Sequence, residues 1–204
     1  MTSNAVMTIG HSTHQLSEFL TLLRQSRVTA VADVRSVPAS RYTPQFNQHS
    51  LEKALREGGM KYVFLGEELG ARTKDSTCYV DGRVQYSRLA QTREFAQGIE
   101  RLEKGVKAES IAIMCSEGDP LGCHRTVLIA RVLVERGISI NHIHADGRVE
   151  THTSAMKRLM AKFGLADDEL FRTPGERLED ALSRQEDEIA YVTEVLHADG
   201  MVDV

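Results

Sequence analysis

Short apolar runs and amphipathic stretches alternate along the chain. Between the runs, apolar residues recur three and four positions apart, as in Leu16, Phe19, Leu20 and Leu23, which is the pattern of a helix face. The runs themselves are typical of strands covered on both faces and occupy residues 5–10, 28–34, 60–65, 110–115 and 138–143. This alternation predicts an α/β fold with a mainly parallel sheet of about five strands and helices on both faces.

Local signals place the helices between these runs. Ser12 and Gln15 fit a capping box for the first helix. Further helices are expected over 50–57, from Thr92 onward and over 123–136. Residues 65–89 are rich in Gly, Asp, Thr and Ser. This composition predicts a long irregular segment, and such segments are usually functional or mobile.

The C-terminal part of the chain has the pattern of a separate helical element. The segment TPGE (173–176) combines an N-cap threonine, a proline at the first helical position and a glutamate at the third. We therefore predict an α/β domain over 1–153 and a helical extension over 154–204. Six residues form one stripe along this helix, which either docks on the domain itself or pairs two chains into a homo-oligomer: Leu178, Leu182, Gln185, Ile189, Val192 and Leu196.

Composition is that of a soluble globular protein. The chain has 204 residues, of which 41% are hydrophobic and 26% charged. Residues 1–154 hold 19 Lys and Arg against 17 Asp and Glu, a balance too weak to indicate nucleic-acid binding by charge alone. No stretch has the roughly 18 apolar residues of a membrane span, and the N-terminus lacks a signal-peptide pattern, so a cytoplasmic location without membrane contact is expected.

Polar side chains follow four of the five predicted strands. Ligand crevices in open α/β sheets lie beyond the carboxyl ends of the strands, so these side chains are expected to share one rim. The sequence thus predicts a site at this rim that binds a small anionic ligand. The residues expected to bind the anion or to orient those that do are His11, Ser12, Asp33, Arg35, Ser40, Arg41 and Arg125.

The stretch IAIMCSEGDPLGCHR (111–125) carries the candidate catalytic residues Cys115, Glu117, Cys123 and His124. Cys123 starts a predicted helix, whose N-terminal N–H groups favour a thiolate. Each residue also has a structural alternative: a small buried side chain for either cysteine, a surface acid for Glu117, and a helix-start hydrogen bond for His124. Besides a role as base, His124 could be a metal ligand, and Glu117 could orient His124 instead of acting as acid or base. Arg35 and Arg125 either clamp a phosphate or carboxylate or pair with Asp33 and Glu117.

No obligatory cofactor is predicted. Three cysteines, Cys78, Cys115 and Cys123, without secretory context indicate free thiols rather than a disulfide framework. The spacing between Cys115 and the Cys123-His124 pair does not fit the paired motifs of structural zinc sites. A catalytic metal held by His11, His142 and a cysteine is an alternative. The spacing from Cys115 also fails the phosphatase loop, in which an arginine follows five residues after the cysteine.

Several strings in fixed order resemble the bacterial and archaeal family named domain of unknown function 488. They are TIGHS (8–12), DVRSVPASR (33–41), PQFN (44–47), LGAR (69–72), IAIMCSEGDPLGCHR (111–125), INHIHADG (140–147) and DELFRTPGERLEDALSRQEDEIAY (168–191). The resemblance covers nearly the whole chain and implies an α/β fold. It marks the candidate residues named above as motif residues without giving them a reaction, since the family is largely uncharacterised.

Three classes of function fit these features. The first is an enzyme that acts on a phosphorylated or nucleotide-like anion, with Glu117, His124 and a cysteine as acid, base or nucleophile. A variant of it is sulfur transfer, because the order of DVR and the later strand, cysteine loop and helix is similar to that of rhodanese-like sulfurtransferases. The other classes are a nucleic-acid-binding accessory protein and a thiol redox sensor.

Overall fold

The computed structural model describes residues 5–167 and 170–193, which form an α/β fold around a six-stranded sheet. The strands are β1 (Val6–Gly10), β2 (Ala30–Asp33), β3 (Lys61–Phe64), β4 (Tyr79–Val80), β5 (Arg83–Val84), β6 (Ile111–Cys115), β7 (Ile140–Ile143) and β8 (Val149–Thr151). The sheet has the order β3-β2-β6-β1-β7-β8, and β4 pairs with β5 in a separate hairpin. The first five strands of this order are parallel, and β8 is antiparallel to β7. The predicted mainly parallel sheet is therefore confirmed.

Helices follow most of the parallel strands. They are α1 (Leu16–Gln25), α2 (Gln48–Glu57), α3 (Gly66–Leu69), α4 (Tyr86–Leu89), α5 (Arg93–Val106), α6 (Arg131–Glu135), α7 (His152–Lys162) and α8 (Pro174–Ile189). A π-helical stretch, Arg125–Ala130, leads directly into α6. Short 3-10 turns lie at Pro44–Phe46, Ser76–Cys78 and Pro120–Gly122.

Two hydrophobic cores cover the two faces of the sheet, as the continuous apolar strands require. On one face, Val31 and Met114 pack with Phe19, Leu23 and other residues of α1 and α2. On the opposite face, the core joins the sheet to α5, the π-helical stretch and the C-terminal helices. Within the described residues, no helix is both long enough and apolar enough to cross a membrane.

The course of the chain creates a crevice at the carboxyl end of β6. Strands β1 and β2 lead into helices of one face, whereas β6, which lies between them, leads into the helix of the other face. Loops that leave neighbouring strands in opposite directions separate at that point, and this is where open α/β sheets bind ligands. The topology therefore predicts a ligand crevice beside Gly10, Asp33 and Cys115.

Two local predictions are wrong, and the sheet has one strand more than the five expected. The capping box of the first helix is formed by Gln15, whose N–H donates to Glu18, and not by Ser12, which lies in a turn with a φ of 45°. The sixth strand, β8, has three residues and does not show in the apolar pattern. Residues 65–89 are not simply irregular, because they contain α3, α4 and the β4-β5 hairpin.

The C-terminal helices pack on the core of the sheet. Thr173 caps α8 and Glu176 completes the capping box, which confirms that helix start. Leu182 and Gln185 are buried, and Leu178 and Ile189 pack against the same core, so most of the predicted stripe docks on its own chain. Val192 follows the end of the helix and bridges to Arg83. Leu196 lies outside the described residues, and the boundary at 153/154 stays a prediction.

Candidate functional site

A cavity of about 320 Å³ opens at the crevice beside β6. Cys115, Glu117, Cys123 and His124 all line it, so the four candidate catalytic residues are brought together. We refer to this cavity as the thiol pocket. Its remaining lining residues are Arg35, Ser36, Val37, Ala39, Ala71, Arg72, Tyr86, Ser116, Gly122, Ile189 and Tyr191.

The loop that follows β6 stays bonded to the end of β1. The N–H of His11 donates to the Cys115 carbonyl at 2.9 Å, and the N–H of Ser12 donates to the Ser116 carbonyl at 2.8 Å. Gly10 permits this close approach, since a β-carbon at that position would lie 1.7 Å from the carbonyl oxygen of Glu117. These backbone hydrogen bonds fix the position of the loop after β6, which forms the floor of the thiol pocket.

The side chain of Arg125 forms hydrogen bonds with the same loop. Its side chain is fully buried, and its Nη1 and Nη2 donate to the carbonyl oxygens of Glu117 and Gly118 at 2.7 and 3.3 Å. Arg125 has no ion pair with any described acidic residue. It is therefore neither paired with the Glu117 carboxylate nor exposed to clamp a ligand. The backbone N–H of Arg125 donates to the Cys123 sulfur at 3.5 Å, and the charge of the buried guanidinium favours the thiolate form of Cys123.

His124 faces both cysteines. Its Nδ1 lies 3.7 Å from the sulfur of Cys115 and 3.7 Å from that of Cys123. Its Nε2 lies 3.2 Å from the carbonyl oxygen of Val34, which can only accept, so Nε2 carries a proton. In the neutral ring, Nδ1 therefore presents its lone pair to the two sulfurs. Burial opposes protonation of the ring, but the charge of Cys123 raises the pKa of His124, which favours a second proton on Nδ1.

The two thiols differ in their acidity. Burial opposes ionisation of Cys123, but a hydrogen bond from Cys115 and the charges of Arg125 and His124 hold its pKa well below the usual range. The same hydrogen bond, together with burial, raises the pKa of Cys115. The pair therefore carries its first negative charge on Cys123, although this sulfur also belongs to the buried core on that face of the sheet.

Glu117 borders the thiols from the side of the pocket. Its side chain reaches solvent through the mouth of the pocket. Partial removal of water by the pocket walls and repulsion from Cys123 raise the pKa of this carboxyl. A carboxyl group with a raised pKa can both give and accept a proton, which is the property needed in general acid-base chemistry.

Arg35 is held by Asp33 rather than left free. Its Nε and Nη2 donate to the Asp33 carboxylate at 2.9 and 2.6 Å, and both residues are buried. Nη1 points to Nε2 of His11 at 3.2 Å, so this nitrogen accepts and Nδ1 of His11 donates to the Ser12 carbonyl. Of the two alternatives for Arg35, the structure shows the pair with Asp33.

A second cavity, also of about 320 Å³, adjoins the thiol pocket and is lined by His11, Ser12 and Ser40. The two cavities share Arg35, Val37, Ala39, Ser116 and Glu117 as lining residues. Arg41 lines neither cavity: its guanidinium stacks over the Tyr42 ring at 4.9 Å on the exposed loop. Asp33 and Arg125 also line neither cavity, but Asp33 is bonded to Arg35 and Arg125 to the loop that carries Glu117. Arg41 has no such bond to a lining residue among the contacts of the described residues.

Sequence reasoning missed Arg72 and two tyrosines of the thiol pocket, Tyr86 and Tyr191. Arg72 lies in the LGAR segment, its guanidinium stacks over the Tyr191 ring at 4.7 Å, and it forms no ion pair with the described residues. Burial raises the pKa of Tyr86, so its hydroxyl stays protonated. Arg72 carries a positive charge that a ligand can reach, and its place in a motif string was the only signal for it.

The histidines considered as metal ligands lie in different environments. His142 is buried between Thr8 and His152, with Nδ1 at 2.8 Å from the Thr8 hydroxyl and Nε2 at 3.1 Å from Nδ1 of His152. Both ring nitrogens of His11 are also bonded. Across the described residues, the one group of three potential ligands with mutual contact is Cys115, Cys123 and His124, so the set of His11, His142 and a cysteine is not assembled.

Stability is expected to fall below pH 6.5 because two buried histidines resist protonation. Burial lowers the pKa of His142 to about 3, and burial with the charge of Arg35 lowers that of His11 to about 4. Unfolded histidine has a pKa of about 6.5, so below this pH the unfolded chain takes up protons that the folded chain does not. By pH 5 each histidine costs up to about 2 kcal/mol.

Urea unfolding of the wild type and of His142→Gln between pH 7.5 and 5 measures this effect. The variant should lose less stability on acidification than the wild type, whereas His49→Gln, at an exposed position, should follow the wild type. Parallel pH profiles for His142→Gln and the wild type would contradict the role given to His142.

The matches to known proteins concern the family alone. A sequence profile of the family described as "Domain of unknown function DUF488" matches residues 15–132, more than half of the chain. This segment contains Asp33, Arg35, the cysteine loop and Arg125, so the family match covers most of the site. Searches of curated proteins and of solved structures found no match. The chain belongs to the DUF488 family.

Proposed function

We propose that the protein is an enzyme that acts on a small anionic substrate, of the phosphorylated or nucleotide-like kind, bound in the thiol pocket. The observation that carries this proposal is the position of Arg72 in the wall of a cavity that Glu117, Cys123 and His124 also line. A cation without an acidic partner attracts an anion, and titratable groups with altered pKa values at the floor are typical of catalytic sites.

The division of roles follows from the hydrogen bonds. Arg35 and Arg125 are already bonded to the protein and serve to position the loops, while Arg72 is free to contact the anion. Glu117 reaches both the thiols and the solvent, so it can transfer a proton to or from the substrate. The adjoining cavity past Glu117 offers room for the remainder of a nucleotide-sized molecule.

Anion binding is tested by thermal shift with inorganic phosphate and nucleoside monophosphates. We expect these ligands to raise the Tm of the wild type and the affinity to fall about tenfold in Arg72→Gln, because one charge-assisted contact contributes roughly 1.4 kcal/mol or more. Arg56→Gln is the matched control, since Arg56 is exposed on α2 away from the pocket. An equal shift in Arg72→Gln and wild type, or no shift with any anion, would refute the proposal.

The role of Glu117 is tested separately from binding. In Glu117→Gln the anion-dependent shift should persist or grow, because a negative charge has been removed from the pocket. Turnover of phosphorylated substrates should be lost, with a fall of about 100-fold or more if Glu117 transfers a proton in the transition state. An active Glu117→Gln would remove this residue from the mechanism while leaving the binding role of Arg72 intact.

Rhodanese-like sulfur transfer is the second candidate function. The observation in its favour is that the buried positive charge of Arg125 favours the thiolate of Cys123, with a second sulfur, that of Cys115, close by. Transfer of sulfur from thiosulfate to cyanide measures this activity. Activity that is lost in Cys123→Ser and kept in Cys78→Ser would favour sulfur transfer over the anion enzyme, and its absence from the wild type would eliminate it.

A further inference from the structure

The three soft donor atoms at the floor of the thiol pocket have the arrangement of a metal centre. Cys115, Cys123 and His124 are buried, and their ligand atoms all lie within 4.8 Å of one another. We propose that Cys115, Cys123 and His124 bind a zinc ion whose fourth coordination position opens into the thiol pocket. This inference rests on the proposed function, since the zinc ion would polarise the anion that is bound in the thiol pocket.

Spacing agrees with tetrahedral zinc. Zinc binds thiolate sulfur at about 2.3 Å and imidazole nitrogen at about 2.0–2.1 Å. In a tetrahedral site, a sulfur ligand and a nitrogen ligand therefore lie about 3.6 Å apart. The distances from Nδ1 of His124 to the two sulfurs are 3.7 Å in each case. Ligands of two thiolates and one imidazole also suit zinc by their softness.

The orientation of His124 is already set for metal binding. Its Nε2–H donates to the Val34 carbonyl, so the opposite nitrogen, Nδ1, faces the two sulfurs, and a metal ion would take the place of a proton on Nδ1. Histidines that bind metals almost always donate their other ring N–H to a carbonyl or carboxylate in this way. No movement of the ring is required for Nδ1 to become a ligand.

Charge and access also fit a catalytic rather than a structural centre. Two thiolates balance the charge of Zn²⁺, and the backbone N–H of Arg125 donates to the sulfur of Cys123 at 3.5 Å. Structural zinc sites have four protein ligands, whereas catalytic sites have three and leave one position for water or substrate. Here the described residues supply three, and Glu117, which lines the same pocket, is placed to take a proton from a water molecule on the metal.

Metal content and cobalt spectroscopy test the site. Untagged full-length protein purified without chelator should contain about one zinc ion per chain by mass spectrometry, and Cys78→Ser, which alters a buried cysteine away from the site, should retain it. Co²⁺ added to the chelator-treated wild type should give thiolate charge-transfer bands and the visible absorption of tetrahedral cobalt. Both signals should be lost in Cys115→Ser and Cys123→Ser.

Thiol protection covers the case in which a serine variant does not fold. Zinc added to the chelator-treated wild type should slow alkylation of Cys115 and Cys123, read by peptide mass spectrometry, at least tenfold. A protein that neither retains zinc nor shows the cobalt bands, or whose two cysteines react at the same rate with and without zinc, would overturn the inference. Anion shifts that depend on Arg72 in chelator-treated protein would still support the proposed function, so the two failures are distinguishable.

Discussion

Replacement of Gly10 by alanine is expected to destabilise the protein by about 3 kcal/mol and to weaken anion binding. A β-carbon at this position would lie 1.7 Å from the Glu117 carbonyl oxygen and 3.2 Å from Nη2 of Arg125. Neither neighbour can yield cheaply, since one is backbone and the other is fully buried. The carbonyl must move away, which strains the loop and removes an acceptor from a buried guanidinium, and each effect costs about 1–3 kcal/mol.

Chemical unfolding measures the loss of stability in Gly10→Ala, and thermal shift with added anion measures its anion binding. The Tm of Gly10→Ala should fall by roughly 6–12 °C, from the usual 2–4 °C per kcal/mol for a chain of this size. Gly175→Ala is the matched control: the nearest atom to its added β-carbon is 3.9 Å away, and alanine is the better helix former. A Gly10→Ala protein with wild-type stability and wild-type anion binding would show that the loop does not depend on this contact.

The apolar pattern predicted most of the fold because the strands that position the site are buried on both faces. All five residues of β6 are buried, so their sequence is continuously apolar and marks the strand clearly. β8 was missed because it is a three-residue edge strand with two exposed residues, and such a strand needs no apolar run. The helix start at Gln15 was misplaced by three residues because two adjacent segments both offer polar caps, and only the tertiary contacts of the Ser12 turn decide between them.

The site was predictable in its location but not in its charge distribution. Parallel strands guarantee that His11, Asp33 and Cys115 meet at one edge, whatever the loops do. Which arginine is free depends on long-range contacts, and these bond Arg35 to Asp33 and Arg125 to two carbonyls while leaving Arg72 in the pocket wall. The same holds for the three donors at the pocket floor, since the spacing of eight residues between the cysteines fits no common motif and only the fold brings them to one imidazole.

Asp33→Asn is expected to cost about 3–5 kcal/mol, because it leaves the buried charge of Arg35 without a partner. The Asp33 carboxylate accepts from Nε and Nη2 of Arg35 and from the Tyr62 hydroxyl at 2.9, 2.6 and 2.8 Å, and its side chain has no exposure to solvent. An asparagine would turn an N–H group toward these donors. Glu52→Gln removes one negative charge from an exposed position and should leave stability within about 0.5 kcal/mol of the wild type.

The double variant Asp33→Asn with Arg35→Met tests whether the loss of stability comes from the unpaired charge of Arg35 or from the other contacts of the two side chains. If the cost arises from an uncompensated charge, removal of Arg35 as well should recover part of the stability lost in Asp33→Asn, since replacement of both partners of a buried pair is tolerated better than loss of one. Urea unfolding at pH 7.5 of the wild type and the two single and one double variants completes this cycle. Additive losses would instead mean that each side chain acts through its separate contacts, Arg35 through the Phe46 carbonyl and Asp33 through Tyr62.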